Sequence, residues 1–168
     1  MNFYYLILYL LLAIFLVSID QYTKSLFVKG FSLKLNEYIR FLLVYNEGSA
    51  FGIKLFNNET YTLIGIIVCF FLIYFLFSFN KKIINIDLKN KIFIGLFNFS
   101  ILLIISGTLG NLIDRLRYSK VVDWISILNF PIFNLADSYI SIGVIIFIYS
   151  YIKLEKEINK IKYICLKK

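Results

Sequence analysis

The sequence has no histidine among its 168 residues. This absence excludes serine or cysteine nucleophiles that depend on an imidazole base, and it excludes zinc sites built on histidine. Cysteine is also scarce: the sequence has two, of which Cys69 falls in the middle of a predicted helix and Cys165 near the end of the sequence. The two cysteines predict neither a disulfide framework nor a metal site. No metal or organic cofactor is indicated, so any catalytic chemistry must rest on carboxylates.

Long uncharged stretches dominate what is present. Hydrophobic residues make up 60% of the chain and aromatic residues 19%, and the mean hydropathy of +0.80 is outside the range of soluble domains. A spanning helix needs about 20 apolar residues, and fewer where flanking side chains reach the interface. Four stretches meet this length, at about residues 3–19, 60–80, 92–113 and 137–152. The prediction is one all-α integral membrane domain over residues 1–168 with four transmembrane helices.

Lysine residues cluster beside one set of predicted helix ends. Ten of them occupy the loop between the second and third helices and the tail at residues 153–168: Lys81, Lys82, Lys89, Lys91, Lys153, Lys156, Lys160, Lys162, Lys167 and Lys168. Because basic residues collect on the cytoplasmic side of membranes, both termini are predicted to be cytoplasmic. The net charge of +8 then reflects topology and adhesion to anionic lipid, and not nucleic-acid binding.

The tail and the two longer connections carry their own patterns. Leu154 and Ile158 continue a helical apolar spacing to Ile161, which predicts an amphipathic tail lying in the interface. The outer segment at residues 25–57 contains an apolar alternation that predicts a short strand on the membrane, followed by a turn signal at residues 46–48. The second outer connection carries three further residues of interest, Asp123, Trp124 and the single proline, Pro131.

The phrase Asn-Leu-x-Asp occurs twice, ending at Asp114 and at Asp137. In the predicted topology both acids lie at the outer membrane boundary, together with Asp20. Ionisable residues at a hydrocarbon edge are costly, so this pair predicts a functional site. Two carboxyl groups that share one proton can hydrolyse a peptide, because the ionised group activates water while the protonated group supports the carbonyl oxygen. Asn111 and Asn134, each three residues before its acid, are spaced to orient them.

Simpler structural explanations stay open from the residues alone. Asn134 followed by Asp137 is also the pattern of a helix cap, and Asp114 beside Arg115 is also the pattern of an interfacial ion pair. Two other classes of protein also compete. A proton-coupled transporter keeps acids in membrane helices, but usually near the midplane, and a non-enzymatic assembly factor would have no use for two paired phrases.

Five ordered blocks resemble the lipoprotein signal peptidases, which are the type II signal peptidases of bacteria. The blocks are Asp20-Gln21-Tyr22-Thr23-Lys24, Asn46-Glu47-Gly48-Ser49-Ala50-Phe51-Gly52, Gly107-Thr108-Leu109-Gly110-Asn111-Leu112-Ile113-Asp114-Arg115, Val121-Val122-Asp123-Trp124 and Phe130-Pro131-Ile132-Phe133-Asn134-Leu135-Ala136-Asp137. The resemblance implies an intramembrane aspartic endopeptidase that cuts prolipoproteins before a diacylglyceryl-modified cysteine. It also implies a small extracytoplasmic β-cradle, a place in the bacterial inner (cytoplasmic) membrane, and sensitivity to globomycin.

The resemblance also implies roles for individual residues. It places the catalytic acids on Asp114 and Asp137. Supporting or substrate-binding roles fall on Asn111, Asn134, Arg115, Asn46, Gly48, Asp20, Lys24 and Asp123. Among these, Asp20 and Lys24 predict a structural pair at helical spacing, and Arg115 is expected to hold Asp123 or a lipid headgroup. The expected partners are prolipoprotein and membrane lipid, and the protein is expected to be a monomer.

Two positions depart from the family pattern. Thr108 stands where a second glycine is common, and Glu47 stands where a small polar residue is usual. Neither departure removes a chemical group, so the expectation of activity is unchanged. The shape of the loop and the preference among cleavage sequences are the two properties that these departures leave undetermined from the sequence.

Overall fold

The structure is a computed structural model that describes residues 3–48, 55–83 and 91–166. The elements are α1 (Phe3–Val28), β1 (Leu33–Lys34), β2 (Ile39–Asn46), α2 (Asn58–Ile83), α3 (Lys91–Tyr118), β3 (Val121–Ile127) and α4 (Leu135–Leu166). All four helices are long and apolar enough to cross a membrane. With the three-stranded antiparallel sheet, they confirm the predicted fold. The part of the second sequence block at residues 49–52, and Lys89, Lys167 and Lys168, lie outside the described residues.

Helix α3 is the centre of the bundle. Half of its spanning window is buried, against 6% for α1, 11% for α2 and 17% for α4. Phe97 and Ile101 of α3 are fully buried and join Phe79 of α2 and Leu154 of α4 in one apolar cluster. The other helices present exposed apolar side chains, as expected where hydrocarbon and not protein covers them.

Helices α3 and α4 approach closely where glycine removes the side chain. A Cβ at Gly107 would overlap the carbonyl oxygen of Ala136, and a Cβ at Gly143 would lie 2.9 Å from the carbonyl oxygen of Ser100. Small residues of this kind let membrane helices pack with their backbones near contact. The close approach brings the first turn of α4 against the last turns of α3.

The sheet is attached at the end of the bundle where α3 ends. Ser119 adopts a φ of 59°, the left-handed conformation that commonly terminates a helix, and β3 begins two residues later. Val121 pairs with Asn46 of β2, and the first three residues of β3, including Asp123, are buried. The predicted outer strand is present as the two-residue β1. The strand β3 therefore carries an acid into the interior beside α3.

All four helices extend beyond the boundaries predicted from hydropathy, and α1 and α4 do so by the most residues. Helix α1 continues to Val28 and not to residue 19, because Asp20 and Lys24 are buried against the other helices and do not mark the edge of the protein. Helix α4 continues through the tail, because Leu154 and Ile158 pack into the apolar cluster. The described part of the tail is thus an extension of α4 and not a separate interfacial helix.

Candidate active site

Lys24 of α1 forms a buried ion-pair cluster with two aspartates. Its Nζ lies 2.8 Å from Asp20 Oδ2 and 2.8 Å from Asp114 Oδ2, and the three side chains are at most 3% exposed. Asp114 also accepts hydrogen bonds from Gln21 Nε2 at 2.9 Å and from the Val122 amide at 3.1 Å. The predicted ion pair of Asp20 and Lys24 is present, and Asp114 forms a second ion pair with the same lysine. The contacts of Asp114 bind α1, α3 and β3 together.

Asp20 extends this cluster to α4. Its Oδ1 accepts the backbone N–H of Ala136 at 2.9 Å, which is one of the helix-start donors that no residue of the helix itself can satisfy. Gly110 makes room for the carboxylate, since a Cβ there would lie 2.6 Å from Asp20 Oδ2. A buried charge survives only where partners of this kind surround it.

Asp137 lies in the first turn of α4 and forms a reciprocal cap with Asn134, the residue before the helix. The Asn134 amide donates to Asp137 Oδ2 at 3.2 Å, and the Asp137 amide donates to Asn134 Oδ1 at 2.9 Å. The cap that the sequence pattern left open is therefore present. The other carboxylate oxygen, Oδ1, accepts Asn111 Nδ2 at 2.8 Å, so both oxygens of Asp137 are held by N–H groups.

Asp123 shares the Asn134 side chain with Asp137. Asn134 Nδ2 donates to Asp123 Oδ1 at 2.7 Å, and Asn46 Nδ2 donates to Asp123 Oδ2 at 2.9 Å. Burial first, and then the charge of Asp137, raise the pKa of Asp123, and the hydrogen bonds from Asn46 and Asn134 lower it, which together give a pKa of about 7. A carboxyl group with a pKa near neutrality is suited to acid–base catalysis.

Arg115 and Gly48 form the rim of the site. Arg115 Nη2 donates to the Gly48 carbonyl oxygen at 2.9 Å, and the guanidinium lies over the Tyr61 ring, 4.8 Å from its centroid. The Gly48 amide in turn donates to Asn46 Oδ1 at 2.9 Å. Within the described residues, the contacts of Arg115 are therefore with the loop after β2 and with α2. The expected contact with Asp123 is not among its hydrogen bonds there.

A cavity of about 630 Å³ opens from these polar groups. Its polar lining includes Asn46, Asn111, Arg115 and Asp137, and its apolar lining comes from residues 130–133 together with Ile140 and Ile142 of α4. A largely apolar pocket with a few convergent polar groups is the usual form of a ligand site. The cavity is suited to an extended apolar substrate with a polar bond near Asp137.

The repeated phrase pairs Asp114 with Asp137, but in the structure the acid that shares a hydrogen-bonding residue with Asp137 is Asp123. The carboxylates of Asp137 and Asp123 are joined through one residue, Asn134, whose backbone N–H donates to Asp137 Oδ2 and whose side-chain Nδ2 donates to Asp123 Oδ1. Asp114 is connected to Asp137 less directly, through Asn111 and then Lys24, and through Asn134 and then Val122. The sequence reasoning missed Gln21 and Tyr61 as neighbours of the site. For Gln21 the available signal is a polar residue within an otherwise apolar spanning helix.

Comparisons with known proteins identify relatives of the chain in sequence and in fold. A sequence model of the family described as signal peptidase (SPase) II matches residues 12–153. The lipoprotein signal peptidase of Thermodesulfovibrio yellowstonii is 38% identical over 152 residues, which cover 84% of this chain and 93% of that protein. The lipoprotein signal peptidase of Streptococcus agalactiae serotype III is 38% identical over 143 residues, covering 80% and 85%. A solved bacterial membrane enzyme, determined by the in meso method at 2.3 Å, aligns with a TM-score of 0.69 and 32% identity over 86% of this chain and 87% of its own.

Proposed function

Because the chain belongs to the signal peptidase II family, whose members are aspartic peptidases that remove the signal peptides of prolipoproteins, we propose that Asp123 and Asp137 are its catalytic pair. The observation that supports this assignment is that Asn134 donates to both carboxyl groups, through its backbone N–H to Asp137 and through its side-chain Nδ2 to Asp123. In this proposal Asp123 takes the place that the sequence pattern gives to Asp114. The contacts of Asp114 with Lys24, Gln21 and Val122 support a structural role instead.

The proposed mechanism uses one protonated and one ionised carboxyl group. Asp137 lies at the N-terminus of α4, where the helix dipole favours negative charge, and serves as the base that takes a proton from water. Asp123, with its pKa near 7, carries the other proton and donates a hydrogen bond to the scissile carbonyl oxygen. The hydroxide equivalent adds to the carbonyl carbon. Collapse of the tetrahedral intermediate then transfers a proton to the departing amine and restores the pair.

The proposed substrate is a prolipoprotein with a diacylglyceryl group on the cysteine after the cleavage site. The apolar lining of the cavity by residues 130–133, Ile140 and Ile142 supports this assignment. A lipid anchored in the membrane would hold the scissile bond at the depth of Asp137, and fixed orientation is a large part of catalysis. We extend the proposal to the inhibitor globomycin, which would occupy the same cavity.

The proposed location is the bacterial inner (cytoplasmic) membrane, with both termini in the cytoplasm. Lys81 and Lys82 at the end of α2 and Lys91 at the start of α3 support this orientation, because they are exposed at the end of the helices opposite to Asp137. The protein is proposed to act as a monomer. What supports this is that, among the described residues, Asn46, Asn111 and Asn134 of the same chain donate to all four carboxylate oxygens of Asp123 and Asp137.

The assignment of the acids is tested by comparing Asp123→Asn with Asp114→Asn in detergent-purified protein acting on a diacylglyceryl-modified precursor peptide. Asp123→Asn should lower the cleavage rate by at least about 100-fold, the usual cost of losing a general acid or base. Asp114→Asn should lower thermal stability, because it removes one charge of a buried ion pair. Its cleavage rate per folded molecule should fall by much less. The reverse order of the two rates would return the catalytic role to Asp114.

The pH dependence of cleavage should reveal the pKa of Asp123. Because the protonated form is the active one, kcat/KM should fall as the pH rises through about 7. Asn46 donates to the charged carboxylate and so lowers its pKa. Replacing Asn46 by alanine should therefore shift the alkaline limb of the kcat/KM profile to higher pH. A shift to lower pH would contradict the proposed protonation of Asp123.

A further inference from the structure

Lys24 is a buried cation that the proposed mechanism does not use. Its ammonium group has three N–H donors and lies near three acceptors. These are Asp20 Oδ2 at 2.8 Å, Asp114 Oδ2 at 2.8 Å and Asn111 Oδ1 at 3.0 Å. The first two contacts neutralise buried charge. The third contact is with a neutral amide, so charge neutralisation does not account for it.

Asn111 connects Lys24 to Asp137. Its Oδ1 accepts from Lys24, while its Nδ2 donates to Asp137 Oδ1 at 2.8 Å. If the amide turned over, its oxygen would face the Asp137 carboxylate and its NH₂ group would face the Lys24 ammonium. Both contacts would be repulsive in a site of low dielectric constant. The charge of Lys24 therefore fixes which end of the amide points at Asp137.

The side-chain NH₂ group of Asn134 is a second donor near Asn111 Oδ1, but it also donates to other acceptors. Its Nδ2 lies 2.7 Å from Asp123 Oδ1, 3.1 Å from Asn111 Oδ1 and 3.3 Å from the Val122 carbonyl oxygen. An NH₂ group has two hydrogens for these three acceptors, and the shortest contact is with Asp123. Asn134 alone is thus a poor substitute for Lys24 in holding the Asn111 amide.

We propose that Lys24 is a positioning residue for peptide cleavage, which holds the Asn111 amide in the orientation that fixes Asp137 Oδ1. This inference rests on the proposed catalytic role of Asp137. With Oδ1 held by Asn111 Nδ2 and Oδ2 held by the Asn134 backbone N–H, the Asp137 carboxylate is fixed in orientation, and one lone pair on each oxygen remains to accept a water proton. Lys24 reaches no substrate, and it acts only through Asn111.

The test separates positioning from charge neutralisation by keeping the charge of the cluster constant. Wild-type protein has one ammonium and two carboxylates here, a net charge of one negative. The double variants Lys24→Met/Asp114→Asn and Lys24→Met/Asp20→Asn each keep that net charge, and they provide two independent routes to a folded protein. Their controls are the single variants Asp114→Asn and Asp20→Asn, which keep Lys24 and its contact with Asn111.

The expected result is a fall in kcat of about 10- to 100-fold in the double variants relative to their controls, the cost of a catalytic group displaced by an ångström or less. KM should change little, because Lys24 is not among the residues that line the described cavity. Adding Asn111→Ala to a double variant should lower kcat no further than Asn111→Ala alone, since both changes remove the same support. A kcat equal to that of the controls, or independent and additive effects, would overturn the proposal.

Asp137→Asn, assayed in parallel, distinguishes this inference from the proposal on which it rests. If Asp137→Asn retains cleavage, the catalytic pair itself is wrong. If Asp137→Asn is inactive while the Lys24 double variants cleave at the rate of their controls, only the positioning role of Lys24 fails.

Discussion

Replacing Asp137 by asparagine should abolish cleavage while leaving the protein folded. The substitution keeps the side-chain volume and still allows one oxygen to accept the Asn134 amide, so the cap of α4 should lose no more than about 1 kcal/mol. The base that takes the proton from water is lost, and the new NH₂ group faces the NH₂ group of Asn111. We expect the cleavage rate of a diacylglyceryl-modified precursor to fall by at least about 1,000-fold.

The control for this experiment is Glu155→Gln. Glu155 is exposed on the extension of α4, so its replacement removes one carboxylate without touching the site. Cleavage should be unchanged in this variant, and thermal unfolding in detergent should show that both variants are folded. Substantial cleavage by folded Asp137→Asn would exclude Asp137 as the base.

Replacing Gly107 by alanine should disrupt the contact between α3 and α4. The new methyl group would overlap the Ala136 carbonyl oxygen and would lie 2.7 Å from Ile140 Cγ1. Overpacking of this kind costs about 1–3 kcal/mol, and more where backbone is displaced. Ala136 directly precedes Asp137 and donates its N–H to Asp20, so a shift of α4 also moves the proposed catalytic base. We expect a lower unfolding temperature and a loss of most cleavage activity.

Helix α3 offers a matched control in Gly95. A Cβ at Gly95 meets nothing within 4 Å, and alanine is favoured over glycine in a helix by about 1 kcal/mol. Gly95→Ala should therefore leave activity unchanged and keep or raise the unfolding temperature. Equal effects of the two substitutions would show that the close approach of α3 and α4 is not what Gly107 provides.

The membrane architecture was predictable because hydropathy reports directly on which stretches can cross a bilayer. The location of the acids at one end of the bundle followed from the same reasoning, since Asp20, Asp114 and Asp137 each stand at a boundary of an apolar stretch. The boundaries themselves were less accurate. A charged residue in the sequence does not show whether it meets water or a buried partner, and Lys24 meets Asp20 and Asp114.

The division of labour among the acids could not be read from the repeated phrase. Asn111 and Asn134 do contact each other, so the repetition correctly indicates that the two segments meet. It does not reveal that Asp114 turns toward Lys24, which is distant in the sequence, or that β3 directs Asp123 inward toward Asn134. The tail gives a similar lesson, because an apolar stripe at Leu154 and Ile158 fits lipid and protein equally well. Only the packing against α2 and α3 distinguishes the two.

The crowding of bonds on Asn134 has a consequence for drug resistance. Its side chain donates to Asp123 and Asn111 and its backbone N–H donates to Asp137, so a substitution that removes the side-chain amide would weaken the proposed catalytic pair along with the binding of an inhibitor that contacts it. A compound that engages only the Asn134 side chain and the two acids would be evaded only by substitutions that also lower the proposed cleavage activity. A compound that binds mainly to the apolar residues 130–133 would be evaded more easily, because substitutions there change the side-chain volume of the cavity wall without removing a reacting group.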